Sequence, residues 1–438
     1  MSSDTIAAIA TPPGMGGVGV IRVSGGKAAD IAHALAGKLP APRQAALARF
    51  RDQQGLVLDQ GLVLYFPAPN SFTGEDVVEL QGHGGVAVMQ NLLQACLAAG
   101  ARPAEPGEFS RRAFLNGKMD LAQAEAVADL IAARSQAAVQ AANRSLQGEF
   151  SREVNALTDD IYQIRLYVEA ALDFPEEEID FLSEGAIEAR LVAWGERLER
   201  LLARTAQGRL LNDGIELAII GKPNAGKSSL LNALLGEERA IVTDQAGTTR
   251  DIVREHLVIA GIPVHVLDTA GLRDSHDVVE QEGIRRARQA MQDADIVLWL
   301  RDGTVADDGE NLAAPAGKPV LEVWNKADQV TIEDGDSRLW ISAKTGAGMD
   351  GLKAAIARLA GQESHEEAPF IARARHVHAL EKAQEYYRHA LAQIRGLRAG
   401  DLLAEDLWQV HQALGEITGK VSADDLLGGI FSSFCIGK

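Results

Sequence analysis

Hydrophobic and polar positions divide the chain into blocks of different texture. Up to about residue 118, short apolar runs alternate with glycine- and proline-rich turns. "GVGVIRVSG" (Gly17–Gly25) is a β-branched run between glycines and predicts a buried strand. "GLVLYF" (Gly61–Phe66) and "VVELQG" (Val77–Gly82) predict two more. "GGVAVMQNLLQACLAAGARP" (Gly84–Pro103) predicts a helix closed by Gly100. This block is expected to be a small α+β domain.

From Met119 to about Asn212 the strand signal disappears. "MDLAQAEAVADLIAARSQAAVQAANRSLQGEFSREV" is alanine-rich and predicts long helix, as does "EARLVAWGERLERLLARTAQGRLL". The acidic run "DFPEEEIDF" (Asp173–Phe181) breaks these helices and is taken as a solvated connector rather than a cation site. From residue 214 to about 362, helical stretches separate the apolar runs "IELAIIG", "PVHVLDTAG", "DIVLWL", "PVLEVWN" and "RLWISA". That pattern predicts one α/β domain whose parallel strands are covered on both faces. From about Arg373 helix returns, with Val377, Leu380, Tyr387, Leu391 and Ile394 on one face. Two amphipathic helical stretches need a common partner. The economical arrangement is one helical domain with the α/β domain inserted into it, so that movement in the insert passes directly to the helical body.

The bulk numbers fit this organisation. With 438 residues the chain is too long for one ordinary core. At 46% hydrophobic and 24% charged it has a globular composition. Its formal net charge of −18 excludes a general nucleic-acid binder; such contact needs a local basic patch or a helper subunit. The two cysteines, Cys96 and Cys435, make no disulfide scaffold and fit a reducing, cytoplasmic setting. The start "MSSDTIAAIATPPG" lacks the features of a signal peptide, and no run of about eighteen apolar residues predicts a membrane span.

The chemistry is concentrated in the insert. "GKPNAGKS" follows the strand "IELAIIG" and opens the helix "SSLLNALL", the context a phosphate loop requires. Its backbone amides and the helix N-terminus point at phosphates, Lys227 reaches the β and γ groups, and the Ser228 hydroxyl suits Mg2+. "DTAG" places Asp268 at the Mg2+ shell and the Gly271 amide at the γ-phosphate. In "NKAD", Asp328 can accept from both the ring N–H and the exocyclic amine of guanine, a pairing adenine lacks, so the nucleotide is GTP. "SAK" (Ser342–Lys344) offers a backbone N–H to the guanine oxygen, and "TTRD" (Thr248–Asp251) supplies a switch threonine for Mg2+. Leu272 stands where small signalling GTPases carry a water-orienting glutamine, so water must be placed otherwise. Asn224 either stabilises the loop or binds a monovalent cation that does the electrostatic work of an arginine finger, with carbonyls of "TDQAGTTRD" as further ligands. Arg22 and Glu79, each inside an apolar strand, form either a buried polar pocket or an edge-exposed salt bridge.

Taken with "ATPPGMGGVGVIRVSG", "FTGEDVVELQGHGG", "EPGEFSRRAFLNGKMDLAQAEAVADLI", "PNAGKSSLLN", "AGTTRD", "DTAGLR" and the terminal "FCIGK", the chain resembles the MnmE (TrmE) family of tRNA-modifying GTPases from end to end. The resemblance implies a multidomain α/β protein. An α+β folate-binding and dimerisation domain spans residues 1–118, and an all-α domain spans 119–212 and 365–438. A Ras-like P-loop GTPase domain, residues 213–364, is inserted into the latter. It implies a K+-activated GTPase that adds a carboxymethylaminomethyl-type group at C5 of the wobble uridine of certain tRNAs. The one-carbon unit would come from 5-formyl- or methylene-tetrahydrofolate. The partners implied are a second copy of the chain, tRNA, and the FAD protein MnmG (GidA) in a heterotetramer or larger complex.

By position, Asn224, Thr243, Gln245 and Thr248 match the K+ ligands, and Ser228 and Thr249 the Mg2+ ligands. Gln245 stands where isoleucine is frequent, but a carbonyl is the ligand there. Glu280 matches the carboxylate that orients water, and acts with Lys227 and Asn224 in catalysis. The implied GTP site takes in Asn224, Ala225, Gly226, Lys227, Ser228 and Ser229. It continues through Thr243, Asp244, Gln245, Ala246, Gly247, Thr248 and Thr249, then Asp268, Thr269, Ala270 and Gly271. Asn325, Lys326, Asp328, Ser342, Ala343 and Lys344 complete it. Arg22, Glu79, Lys118 and Lys438 match folate-binding positions, and Met15 replaces a common arginine. Cys435 is either a small hydrophobe packed in the helical core or a thiol near the reacting carbon unit. Arg111, Arg112 and Lys118 are the candidates for touching tRNA. The competing function is an RNA-docking switch GTPase in ribosome assembly. Such proteins usually append a basic RNA-binding domain, whereas this tail is helical.

Overall fold

The structure is a computed structural model that describes residues 4–173, 186–237, 255–267, 288–305, 318–333, 335–361, 370–396, 400–421 and 424–437. The chain forms two compact units: residues 1–128 with 414–438, and residues 129–413.

In the first unit, six strands form one sheet in the order β3-β4-β5-β2-β1-β6. They are β1 (Ile6–Ile9), β2 (Gly16–Ser24), β3 (Ala46–Arg51), β4 (Val57–Phe66), β5 (Val77–Gly84) and β6 (Arg102–Pro103). All neighbours are antiparallel except β1 and β6. Period-two alternation sends Ile21, Val23, Val63, Val78 and Leu80 to one face. There they meet Ile31 and Leu35 of α1 (Ala28–Ala36) and Leu92 and Cys96 of α2 (Val86–Ala98). Strand β1 carries too few residues to show alternation, which is why periodicity alone misses it.

Two further helices, α3 (Glu108–Leu115) and α4 (Leu121–Ala132), follow in sequence. The last helix of the chain, Asp424–Ser432, belongs to this unit: Leu427, Phe431 and Phe434 pack with Leu121 and Ala124.

Arg112, one of the residues proposed to touch tRNA, is buried. Its guanidinium donates to Asp4 Oδ1 at 2.9 Å, to both Glu75 carboxylate oxygens at 3.1 Å and to Glu108 Oε1 at 2.9 Å. It is therefore a structural cation, and only Arg111 and Lys118 of that trio are exposed. Burial alone would raise the pKa values of Asp4 and Glu108, but hydrogen bonds from Arg102 and the charge of Arg112 outweigh it and hold both below their ordinary values. These carboxylates thus contribute stability above the usual carboxylate range, and that stability is lost as pH falls through their depressed pKa values. Arg112→Ala is expected to cost about 2–4 kcal/mol at neutral pH, because Glu75 loses its buried cation while Asp4 and Glu108 keep only Arg102. The deficit should shrink on acidification. A urea-denaturation difference under about 1 kcal/mol, the value of an exposed pair, would contradict this account.

In the second unit the alanine-rich stretch is not one helix. After α4 come α5 (Gln136–Leu146), α6 (Glu149–Asp173) and α7 (Ala186–Asp213). Ser135 caps α5 by accepting from Ala138 N at 3.1 Å, and Gly148 sits at φ 81° between α5 and α6. Uniform alanine propensity hides both stops from a periodicity argument. Helix Ala374–Arg395 presents Val377, Leu380 and Tyr387 to the interior as expected, with Leu391 and Ile394 half-buried. Tyr387 packs on Trp194 of α7, ring centroids 5.5 Å apart.

The α/β sheet has the order β12-β11-β10-β7-β9-β8. Its strands are β7 (Ile215–Ile220), β8 (Glu255–Ile259), β9 (Ile262–Leu267), β10 (Ile296–Asp302), β11 (Val320–Asn325) and β12 (Leu339–Trp340). Five are parallel as expected. Strand β8 is an antiparallel edge that the sequence reasoning missed, joined to β9 by a two-residue turn at Ala260 (φ 51°) and Gly261 (φ 84°). The helix α8 (Lys227–Glu237) follows β7.

Candidate functional site

The loop from Gly221 to Gly226 connects the C-terminal end of β7 to α8 and has the geometry of a phosphate cradle. Asn224 adopts φ 66° and Gly226 φ 96°, left-handed conformations that curl the chain. A Cβ on Gly226 would lie 2.2 Å from Asn325 Nδ2, so only glycine admits this closure. Lys227 Nζ donates to the carbonyls of Gly221 and Lys222 at 2.7 and 3.0 Å, and burial pushes its pKa down. Asn224, Ser228 and Ser229 are exposed at the mouth of the loop, Ala225 is buried, and Gly226 and Lys227 are half-buried.

Asn325, buried at the end of β11, joins three segments that are far apart in sequence. Its Nδ2 donates to Ala225 O at 2.9 Å and its Oδ1 accepts from Ala343 N at 3.1 Å. It therefore links the phosphate loop to the Ser342–Lys344 segment through one amide. Asp328 lies three residues on. Ser342 Oγ donates to Asp328 Oδ1 at 2.6 Å and holds its pKa below the ordinary value. The hydrogen bond keeps the carboxylate ionised. Lys326, at φ 67°, donates to Asp302 Oδ2 at 2.5 Å. Burial would raise the Asp302 pKa, but hydrogen bonds from Lys326 and Thr304 lower it overall. The ends of β7, β10 and β11 thus converge on one mouth at the carboxyl edge of a parallel sheet, where ligands of such sheets bind.

Thr243, Asp244, Gln245, Ala246, Gly247, Thr248, Thr249, Asp268, Thr269, Ala270, Gly271, Glu280 and Lys438 lie outside the described residues.

A second polar site lies in the first unit. Arg22 on β2 stands directly opposite Glu79 on β5. Its Nη2 and Nε donate to Glu79 Oε1 at 2.9 and 3.1 Å. The pair is a cross-strand salt bridge, about one-fifth exposed on each side. Its guanidinium faces the rings of Phe72 and Phe109 at 5.5 and 5.8 Å. Among the described residues, Glu79 Oε2 accepts only a long bond from Gln81 Nε2 at 3.4 Å, so it keeps acceptor capacity. Lys118 is exposed and donates to Pro69 O at 2.9 Å, in the loop that also carries Phe72. The phenylalanines were not singled out in the sequence, because nothing in their spacing marks a ring that will flank a cation.

The terminal run reaches the same unit. Gly437 is packed so closely that a Cβ would lie 2.5 Å from Ile9 O, one strand position from the Ala8–Arg22 pair. Cys435 is exposed rather than packed in a core, which removes the small-hydrophobe account of it. Cys96 is the buried thiol, pushed up to about 12 by desolvation.

A family model described as GTP-binding protein TrmE N-terminus matches residues 5–118, and one described as MnmE helical domain matches residues 121–435. The chain belongs to the MnmE family. Family membership makes it a GTP hydrolase, with an N-terminal TrmE domain, a helical domain and a P-loop α/β domain. The tRNA modification GTPase MnmE of Dichelobacter nodosus is 59% identical over 100% of both chains. That of Hydrogenovibrio crunogenus is 54% identical over 100% of this chain and 99% of its own. That of Shewanella amazonensis is 53% identical over 100% of both chains. Among solved structures, Era from Aquifex aeolicus bound to GDP.AlF4- is 26% identical, with a TM-score of 0.25 over 39% of this chain and 66% of that one. The FeoB G domain from Methanococcus jannaschii is 26% identical, with a TM-score of 0.24 over 33% and 97%. Among the described residues, no helix is long and apolar enough to cross a membrane.

Proposed function

We propose that this GTP hydrolase drives tRNA modification: K+-activated GTP hydrolysis, with an FAD-dependent MnmG (GidA) partner, adds a carboxymethylaminomethyl-type group at C5 of the wobble uridine. The observation that carries the proposal is the 59% identity, over the whole of both chains, to a tRNA modification GTPase. The proposed domain limits are 1–118, 119–212, 213–364 and 365–438, and the proposed setting is a cytoplasmic homodimer.

The roles follow from the residues. Asp328 would accept the two guanine N–H groups, with Ser342 fixing its rotamer. Lys227 would exchange its loop carbonyls for the β and γ phosphates. Ser228 and Thr249 would hold Mg2+; Asn224 with carbonyls of Thr243, Gln245 and Thr248 would hold K+. Glu280 would orient the attacking water, and Glu280→Ala is then expected to spare GTP affinity; an unchanged turnover would remove it from the mechanism.

The N-terminal site fits an anionic pterin ligand of the 5-formyl- or methylene-tetrahydrofolate class. Arg22 and Lys118 are cations for its carboxylates, Glu79 has a free acceptor for ring N–H groups, and Phe72 and Phe109 give apolar walls. Lys438 is proposed as a fourth contact, and the Cys435 thiol as a group near the one-carbon unit. The bound folate would supply that unit.

The deciding experiment is nucleoside analysis of tRNA from cells lacking the protein, complemented with the parental chain or Arg22→Ala. Loss of the C5 modification in the null strain, restored by the parental gene and not by Arg22→Ala, is expected. Arg22→Ala should also bind 5-formyltetrahydrofolate roughly tenfold or more weakly by calorimetry. Intact wobble uridines in the null strain, with a ribosome-assembly defect instead, would favour the RNA-docking switch.

A further inference from the structure

We propose that Ser135, a residue of the helical segment far from the nucleotide, is a positioning residue for GTP hydrolysis. It acts through its hydrogen bond to the turn of the β8–β9 hairpin. Ser135 Oγ donates to Gly261 O at 2.8 Å and accepts from Ala138 N at 3.1 Å. One hydroxyl therefore caps α5 and ties the cap to the hairpin. The approach is close enough that a Cβ on Gly261 would lie 3.0 Å from the Ala137 Cβ.

The hairpin leads to the chemistry. Strand β9 pairs in parallel with β7 as far as Ala218–Leu267, and β7 runs on into the phosphate loop. Leu267 is the last residue of β9 and Asp268 is next in sequence. The turn and Leu267, the residue before Asp268, are thus joined by one stiff strand of roughly 20 Å. A strand held in a ladder moves as one body, since slip of one part of it along its neighbours would break their hydrogen bonds.

Helix α5 also grips the chain where it returns from the insert. Ile371 N donates to Ala141 O at 3.2 Å, and Ser145 Oγ donates to Ile371 O at 2.9 Å. At the outgoing side, a Cβ on Gly214 would lie 2.5 Å from Pro263 O at the start of β9. One short helix therefore touches both the hairpin turn and the returning chain. It is placed to relate the register of β9 to the helical body, the direct coupling expected for an insert.

The inference rests on the proposed role of Asp268 at the Mg2+ shell. Three variants of the full-length protein test it. Ser135→Asp keeps the cap, because an aspartate accepts from the same amide, but it cannot donate to Gly261 O. It is expected to lower kcat for GTP roughly 10- to 100-fold with KM unchanged, a larger loss than any accompanying fall in thermal midpoint accounts for. Ser135→Thr, which keeps the donor, should hydrolyse at the parental rate. Hydrogen exchange over residues 255–267 should rise in Ser135→Asp and not in Ser135→Thr. Parental kcat in Ser135→Asp, or a fall in kcat only in step with the thermal midpoint, would overturn the proposal. Asp268→Asn is measured alongside. If that variant is active, the reading of Asp268 fails. If it is inactive while Ser135→Asp is parental, only the role of Ser135 fails.

Discussion

Asn224→Gly is expected to abolish the stimulation of GTP hydrolysis by K+ while leaving nucleotide affinity close to parental. Asn224 is exposed at the mouth of the phosphate loop, so its amide oxygen can serve a cation placed beside the β and γ phosphates. Its φ of 66° decides which substitution is informative. Alanine there would strain the backbone and disturb the loop, whereas glycine adopts that conformation freely and removes only the amide. An ion in this position offsets charge that develops between the phosphates, and losing one such preorganised contact typically slows turnover by roughly 10²- to 10³-fold. The parental enzyme should be fast in K+ and slow in Na+ at equal ionic strength, because the smaller ion cannot bridge loop and phosphates at once. In Asn224→Gly the two salts should give the same slow rate, and pairing of two G domains in the presence of a transition-state analogue should be lost with it. A parental enzyme indifferent to K+ against Na+ would remove the cation site and the pairing that depends on it.

Asp328→Asn is expected to weaken GTP binding by roughly 10³-fold and to shift preference towards xanthosine nucleotides. A site built to hydrogen-bond a ligand discriminates steeply when its donors and acceptors no longer match. The carboxylate can accept from both guanine N–H groups, while an amide offers one acceptor and one donor, which suits the 2-oxo group of xanthine. Ser342 Oγ fixes Oδ1 at 2.6 Å, so the pairing edge is set before the base arrives. Because that hydrogen bond also lowers the carboxyl pKa, guanine selectivity should persist as pH falls through the ordinary carboxylate range. Titration of fluorescent GTP and XTP analogues against both proteins decides the matter. Equal preference for GTP in the variant would displace Asp328 from base recognition.

Much of this site is legible in the sequence because its elements are local. A strand, a glycine-bounded loop and a helix follow one another within "IELAIIGKPNAGKSSLLNALL", so the chemistry of Lys227 and Ser228 can be read without knowing what packs around them. The same holds for the apolar strands of the α/β insert, whose burial on both faces leaves a plain hydrophobic signature. Long-range partners leave no such mark. Nothing near Asn325 in sequence says that its amide will close on Ala225 and Ala343, some hundred residues away in the first case and eighteen in the second.

The sequence by itself determined the nucleotide, the order of the blocks and the family, because those depend on residue types at fixed short spacings. Only the tertiary structure decided what the isolated charges do. Arg112 reads as a surface cation within "FSRRAF", but folding surrounds it with Asp4, Glu75 and Glu108, and a buried guanidinium in that company is structural. Arg22 and Glu79 became one pair because β2 and β5, distant in sequence, are neighbours in register. The tertiary structure likewise set Cys435 in solvent and placed the Ser135 hydroxyl on the hairpin turn. For Arg112, for the Arg22–Glu79 pair and for the Ser135–Gly261 bond, the free energy comes from contacts between segments far apart in the chain, which no local pattern of hydrophobic and polar positions records.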